Sequence, residues 1–515
     1  MSPKMELYTA VVTSSLDDAF YENSSERIER IAKLVGRVDP LFVAKLAVYA
    51  RTEMHLRSVP LLLLVLLARL HNGDSLIRRT VPRVVLRADE ITELLACYQR
   101  VNSPSQSGGK DEGGKTLKKL NRLSRQLQEG LKATFNNFDE YQFAKYDRKN
   151  KEIKLRDALF LVHPKAKDEA QQEIFDRIAS GKLSTPYTWE TEISALGQQS
   201  FKNKAERERA FTAKWEELIF SGKLGYMALL RNLCNILLCT DISAETIQTV
   251  CSSLSNPAAV AKAKQLPFRY LSAYRQIKEL PSRSFSAYWQ IEKTGVIMNM
   301  NAGKVLDALE AACQASAANI KGFDKDTSVV LACDVSGSMY DPISSKSSVK
   351  YYDIGLMLAM LLQSRCERFV SGIFGDIWKP LTLPTSNVLA NTMEMYKREG
   401  EVGYSTNGHK VIMWLIEHRM PVDKVMFFTD CEMWNSGNID KQKGSSLAST
   451  WRTYKKMAPG AKLYIFDLAG YGDSPISLLD NDVYLIGGWS DRVFDMLEAL
   501  DNGSSAINEI EKIEI

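Results

Sequence analysis

The chain has 515 residues, 45% apolar and 25% charged, the composition of a soluble globular protein with room for about two to four domains. Its eight cysteines form no C-x-x-C pair, which argues against zinc and fits buried thiols in a reducing, cytoplasmic setting. The net charge of +4 conceals a split: residues 1–325 hold 48 Lys+Arg against 37 Asp+Glu, and residues 326–515 hold 18 against 25, so the first part is the candidate for a polyanion such as nucleic acid.

The N-terminus carries no charged-then-apolar signal peptide. Apolar residues then recur at helical spacing over Ile28–Leu34, Leu41–Arg51, Val59–Leu70 and Ile91–Tyr98. Leu61–Ala68 is very apolar, but it is about half the length that spans a bilayer, and Pro60 and Arg69 frame it as a buried helix. Further helices are predicted over Trp215–Ile219, Tyr226–Leu238 and Ala258–Gln265, with Asp39-Pro40 and Asn256-Pro257 as starts. Short amphipathic helices in succession imply an α-solenoid, in which each pair buries its face against its neighbours.

Ser103–Gly114 is a Ser/Gly-rich loop, followed by a basic helix predicted over Lys115–Lys132. From Lys110 to Arg156 there are 13 Lys+Arg and 7 Asp+Glu, interleaved with Phe135, Phe138, Tyr141, Phe143 and Tyr146. Cations neutralise phosphates and aromatic faces stack on unpaired bases.

Near residue 326 the pattern changes to alternating strands and helices. Strands are predicted over Ser328–Cys333, Arg368–Phe374, Lys424–Thr429, Lys462–Asp467 and Val483–Ile486, with helices over Tyr352–Leu362, His409–Glu417 and Leu447–Met457. This is a doubly wound, mostly parallel sheet, whose ligands sit beyond the C-terminal strand ends. Asp334 and Asp430 both stand at such ends. Asp334-Val335-Ser336-Gly337-Ser338 puts three hard oxygen ligands on one tight loop, suited to Mg²⁺ or Mn²⁺. The acidic end, Glu509–Ile515, is compatible with a last strand, a helix or a solvated tail. No G-x-S-x-G elbow or H-E-x-x-H points to catalysis, and a protein that is not an enzyme is expected.

The loop resembles the metal-ion-dependent adhesion site of von Willebrand factor A domains. That resemblance implies Thr406 as a further ligand, with Ser405 as the alternative register, and Asp430 as an outer-sphere carboxylate beside Asp334, Ser336 and Ser338. The expected divalent cation is Mg²⁺, with Mn²⁺ or Ca²⁺ as alternatives. Tyr226–Leu233 (YMALLRNL), Phe42–Arg51 with Arg57-Ser58, and Leu159–Lys165 (LFLVHPK) resemble the TROVE module of Ro autoantigens. The looser Pro267–Tyr270 match adds to these. The chain is thus identified as a member of the Ro family, bacterial or phage-type, with a TROVE module over 1–325 and an A domain over 326–515.

The resemblance implies a HEAT-like α-solenoid ring closed by the A domain. It implies binding of small structured Y-like RNAs on a basic outer surface and of single-stranded 3′ ends of misfolded or unprocessed RNAs through a central hole. Polynucleotide phosphorylase, an exoribonuclease, is an implied partner; no membrane partner is expected, and the chain is expected to be a monomer. A His-Pro pair near the inner surface implicates His163. The RNA-facing set is then Lys118, Lys119, Arg122, Lys145, Arg148, Arg156, His163 and Lys165. Arg231 is expected to anchor helices through a buried ion pair or carbonyls.

Overall fold

The computed structural model describes residues 3–13, 24–102, 122–147, 153–263, 265, 267–280, 292–317, 326–342, 349–430, 447–468, 482–487 and 505–515. They form two compact units: one holds the described residues up to 187 together with 505–515, the other those from 188 to 487.

The first unit is helical. Helix Pro40–Thr52 starts where expected, because the Asp39 carboxylate accepts from the Phe42 amide at 3.1 Å and Pro40 occupies the first turn. Helix Ser58–Leu70 buries every residue from Val59 to Leu67 and packs on Pro40–Thr52 and Ala88–Asn102. Among the described residues no helix is long and apolar enough to cross a membrane. The basic helix is shorter than predicted. It runs Arg125–Phe135, because the Ser124 hydroxyl accepts from the Leu127 amide at 3.3 Å and starts it there. Arg122 therefore precedes the helix, and loop 103–114 lies outside the described residues.

Glu90, fully buried, organises the next layer. It accepts from Arg51 Nη2 at 2.8 Å, from Arg57 Nε at 3.3 Å and from the Leu86 amide at 2.9 Å. Arg57 also reaches Asp89 and Glu93. A buried carboxylate needs such partners, so both arginines are structural. The acidic end forms a helix, Ser505–Glu511. Ile510 is buried, Lys4 Nζ pairs with Glu511 at 2.5 Å, and Arg79 Nη1 donates to the Ile515 carbonyl at 2.9 Å.

The second unit opens with helices Trp189–Gly197, Lys204–Phe220, Tyr226–Leu237, Ala244–Ser255, Pro257–Ala263, Pro267–Lys278 and Glu292–Ala317. Arg231 corrects an expectation. Helix Tyr226–Leu237 buries Leu229, Leu230, Leu233 and Ile236, and that periodicity turns Arg231 to solvent, where it repels Arg269.

The six strands are β1 Ser328–Asp334, β2 Arg368–Phe374, β3 Trp378–Leu381, β4 Lys424–Thr429, β5 Lys462–Asp467 and β6 Val483–Gly487. Their order is β3-β2-β1-β4-β5-β6. All pairings are parallel except β2 with the edge strand β3. The chain leaves β1 towards β2 and later returns to β4 on its other side, so the topological switch point lies between β1 and β4. Helix Tyr351–Gln363 is buried along its whole length, while His409–Glu417 and Leu447–Met457 contribute Val411, Ile412, Leu415, Trp451 and Tyr454 to a core with Phe374 and Phe427.

Two polar contacts join the helices of this unit to its sheet domain. Arg275, on Pro267–Lys278, donates to the fully buried Asp353 through Nη1 at 2.5 Å and also through Nη2. Glu310, on Glu292–Ala317, accepts from the Leu389 amide at 3.1 Å and the Ala390 amide at 3.2 Å. That carboxylate caps helix Val388–Tyr396, whose own Asn387 makes no side-chain cap.

Candidate functional site

At the switch point β1 ends in Asp334, whose carboxylate is fully buried. Its Oδ1 accepts from the Ser336 amide at 2.9 Å and its Oδ2 from the Thr429 hydroxyl at 2.6 Å. The loop then folds back so that the Ser336 and Ser338 hydroxyls stand 3.4 Å apart. Asp430, the residue after β4, is also fully buried. Burial, and next to it the charge of Asp430, hold the Asp334 carboxyl well above the ordinary carboxylate range. Two mutually repelling carboxylates set beside hydroxyl oxygens form a hard donor set that fits a divalent cation. Among the described residues no three His, Cys, Asp or Glu cluster around a metal; the oxygens here are mixed carboxylate and hydroxyl. Cys333 is a buried thiol pushed well up by burial, a packing group rather than a soft ligand.

The remaining candidate, Thr406, comes from the loop after helix Val388–Tyr396. This loop is tied to the end of β2: the Asp376 amide donates to the Val402 carbonyl at 2.7 Å and the Asn407 amide to the Gly375 carbonyl at 3.1 Å. The two backbones lie so close that a Cβ on Gly375 would meet the Gly403 carbonyl oxygen at 2.4 Å, and Gly403 takes φ +77°. Since the Val335 amide bonds the Phe374 carbonyl at 3.2 Å, both loops are anchored to the end of β2. Ser405 and Thr406 differ in setting. The Ser405 amide donates to Asp376 Oδ1 at 3.1 Å, and its hydroxyl helps hold that carboxyl below its usual range. Thr406 is buried.

The RNA-facing set falls in the first unit. Arg122, Lys145, Arg156, His163 and Lys165 are all exposed; Lys118, Lys119 and Arg148 lie outside the described residues. The aromatic residues divide. Phe135, Phe138 and Phe143 are buried against one another, where the end of helix Arg125–Phe135, the turn after it and helix Glu140–Tyr146 meet, so they are unavailable for stacking. Tyr141 is exposed with Lys145 Nζ 5.6 Å from its ring centroid, and Tyr146 lies under Arg87 at 4.4 Å. His163 ends helix Leu155–Val162 in the left-handed region at φ 51°, its amide donating to the Leu159 carbonyl at 2.9 Å.

Two features escaped the sequence reading. Phe160 is exposed one turn after Arg156 and one before His163; the helical spacing was the available signal, masked by the apolar run LFLV. Gly109–Thr116 (GKDEGGKT) spells G-x-x-x-x-G-K-T. The described element before it is helix Ala88–Asn102, whereas a phosphate-binding loop follows a strand, and the motif itself lies outside the described residues.

A family model described as TROVE domain matches residues 9–180 and 174–328, and one described as Ro60 vWA domain matches residues 328–499. Telomerase protein component 1 of Rattus norvegicus is 25% identical over 352 residues, 53% of this chain and 12% of that protein. RNA-binding protein RO60 of Deinococcus radiodurans is 23% identical over 301 residues, 54% of each. The aligned parts thus span from about an eighth to about half of these relatives. The crystal structure of the Deinococcus radiodurans RO (RSR) protein matches with a TM-score of 0.63 at 18% identity, covering 98% of this chain and 100% of that one, a likeness of fold. With the TROVE match covering more than half of its length and the Ro60 vWA match following directly, the chain belongs to the Ro family.

Proposed function

We propose that this protein binds RNA without transforming it. Its ligands are small structured, Y-like RNAs and the single-stranded 3′ ends of misfolded or unprocessed RNAs, and its role lies in RNA maturation or decay beside an exoribonuclease such as polynucleotide phosphorylase. The observation that carries the reading is the state of the cations in the first unit. Arg51, Arg57, Arg87 and Arg177 are matched to carboxylates, whereas among the described residues no ion pair engages Arg122, Lys145, Arg156 or Lys165. Unmatched exposed cations on a net-basic part are free to neutralise phosphates. The Deinococcus relative is named an RNA-binding protein, which makes RNA the polyanion of choice.

The divalent cation belongs to the same proposal. Asp334, Ser336, Ser338 and Thr406 would hold Mg²⁺, with Asp430 balancing its charge. The cation would supply a binding function, attracting an acidic group of a partner or a phosphate.

Purification from native cells without nuclease, followed by sequencing of bound RNA, tests the reading. Enrichment of a few structured small RNAs is expected, with loss when Lys118, Lys119, Arg122, Lys145 and Arg148 are changed to Glu. A bound protein without RNA, released by Asp334→Ala but not by those changes, would replace it with a metal-dependent adaptor.

A further inference from the structure

We infer that Phe160, with Arg156 and His163, forms a stacking platform for an unpaired base, so that this face of the helical part takes single-stranded RNA and discriminates against continuous duplex. The inference rests on the RNA-binding reading and names the feature of the RNA that this surface selects.

Helix Leu155–Val162 buries Leu155, Ala158, Leu159 and Val162. Its exposed side carries Arg156 and Phe160 one turn apart, and His163 follows as the residue that ends the helix. All three are exposed, and Phe160 keeps 49% of its surface in solvent. A lone exposed apolar side chain needs no explanation. This one has two unusual neighbours. The Arg156 guanidinium lies 5.6 Å from the ring centroid, and His163 is held at φ 51°, a conformation that favours glycine.

The arrangement repeats on helix Glu140–Tyr146, where Tyr141, 45% exposed, stands one turn from Lys145 at 5.6 Å. Both helices pack on Ala88–Asn102, which holds their backbones in place. An aromatic face with a cation beside it accepts any base by stacking and the adjacent phosphate by charge. A base within a duplex already has both faces covered, so the platform is open only to unpaired nucleotides. The helix supplies the specificity: the ring takes the base, Arg156 the phosphate, and the His163 imidazole a second hydrogen bond along the strand.

The test uses the full chain and three labelled probes: a short oligoadenylate, a blunt RNA duplex of equal length, and the oligoadenylate with its central nucleotides abasic. Phe160→Ala is expected to weaken the oligoadenylate roughly ten- to a hundred-fold. It should leave the duplex and the abasic strand unchanged and keep the salt dependence. Phe160→Tyr should restore binding, and Arg156→Ala should reduce the salt slope of the single-stranded probes by roughly 0.7. An unchanged oligoadenylate affinity, or equal losses on strand and duplex, overturns the stacking role while leaving RNA binding intact. A wild-type protein that binds none of the probes overturns the RNA reading itself.

Discussion

The charge state of one buried carboxylate makes the candidate metal site testable without knowing its ligand. Asp334 is held at about 7 against an ordinary 3.8, by burial first and by Asp430 second. A raised value means the folded chain holds the proton more tightly than the unfolded chain. The stabilising contribution is therefore complete below the unfolded value and is lost as pH rises through the folded one. Metal-free protein should melt at falling temperature between about pH 4 and pH 7 and level off above. Asp334→Asn should flatten this trend and raise the melting temperature at the upper end, and added Mg²⁺ should stabilise the wild type but not the variant. A wild-type profile flat across that range, or a variant still stabilised by Mg²⁺, would sink the assignment. At this scale the sequence displayed Asp334, Ser336, Ser338 and Asp430, because strand-end positions are local. It left Ser405 and Thr406 open, since what separates them is Asp376, brought in from the turn after β2. The three buried phenylalanines misled for the opposite reason: their contacts join two helices across a turn, and local sequence does not show which aromatics meet there.

Among the elements, the contact between helices Pro267–Lys278 and Tyr351–Gln363 has the highest stakes. Asp353 has no exposed surface, and its carboxylate is met by Arg275 and by the Lys350 amide at 2.9 Å. Removing the guanidinium strands a buried charge, which costs about 3–5 kcal/mol. Arg275→Met should show a loss of that order in chemical denaturation, and Arg275→Met with Asp353→Leu should lose clearly less. Equal losses would mean that the pair contributes only packing, for instance through Arg275 on the Tyr396 ring at 4.8 Å. The strands were legible: Arg368–Phe374, Lys424–Thr429 and Lys462–Asp467 fall where apolar runs placed them. Strand β3 was not, because Pro380 interrupts a run of only four residues. An edge strand tolerates a proline that a central one would not, and Pro380 pairs with Gly372 at that edge. Helix Val388–Tyr396 was missed for a related reason, as its cap comes from Glu310, distant in sequence.

For the molecule as a whole, the opposite charges of the two parts, +11 and −7 from the counts above, predict how binding responds to salt. If the four exposed cations Arg122, Lys145, Arg156 and Lys165 each neutralise one phosphate, the logarithm of the affinity for single strands should fall against that of salt with a slope of about −3. Changing any one to Ala should reduce the slope by roughly 0.7. A slope near zero in a titration from low to high salt would remove these residues from the interface.

The placement of residues 505–515 in the first unit also sets an order of events during synthesis. Ile510 fills a buried position, and Glu511 meets Lys4, so a ribosome must deliver about five hundred further residues before the opening helix gains these neighbours. Pairings so distant along the chain are entropically slow to form. The first unit therefore waits, helices made but its final seat vacant, until the sheet of the second has been threaded out.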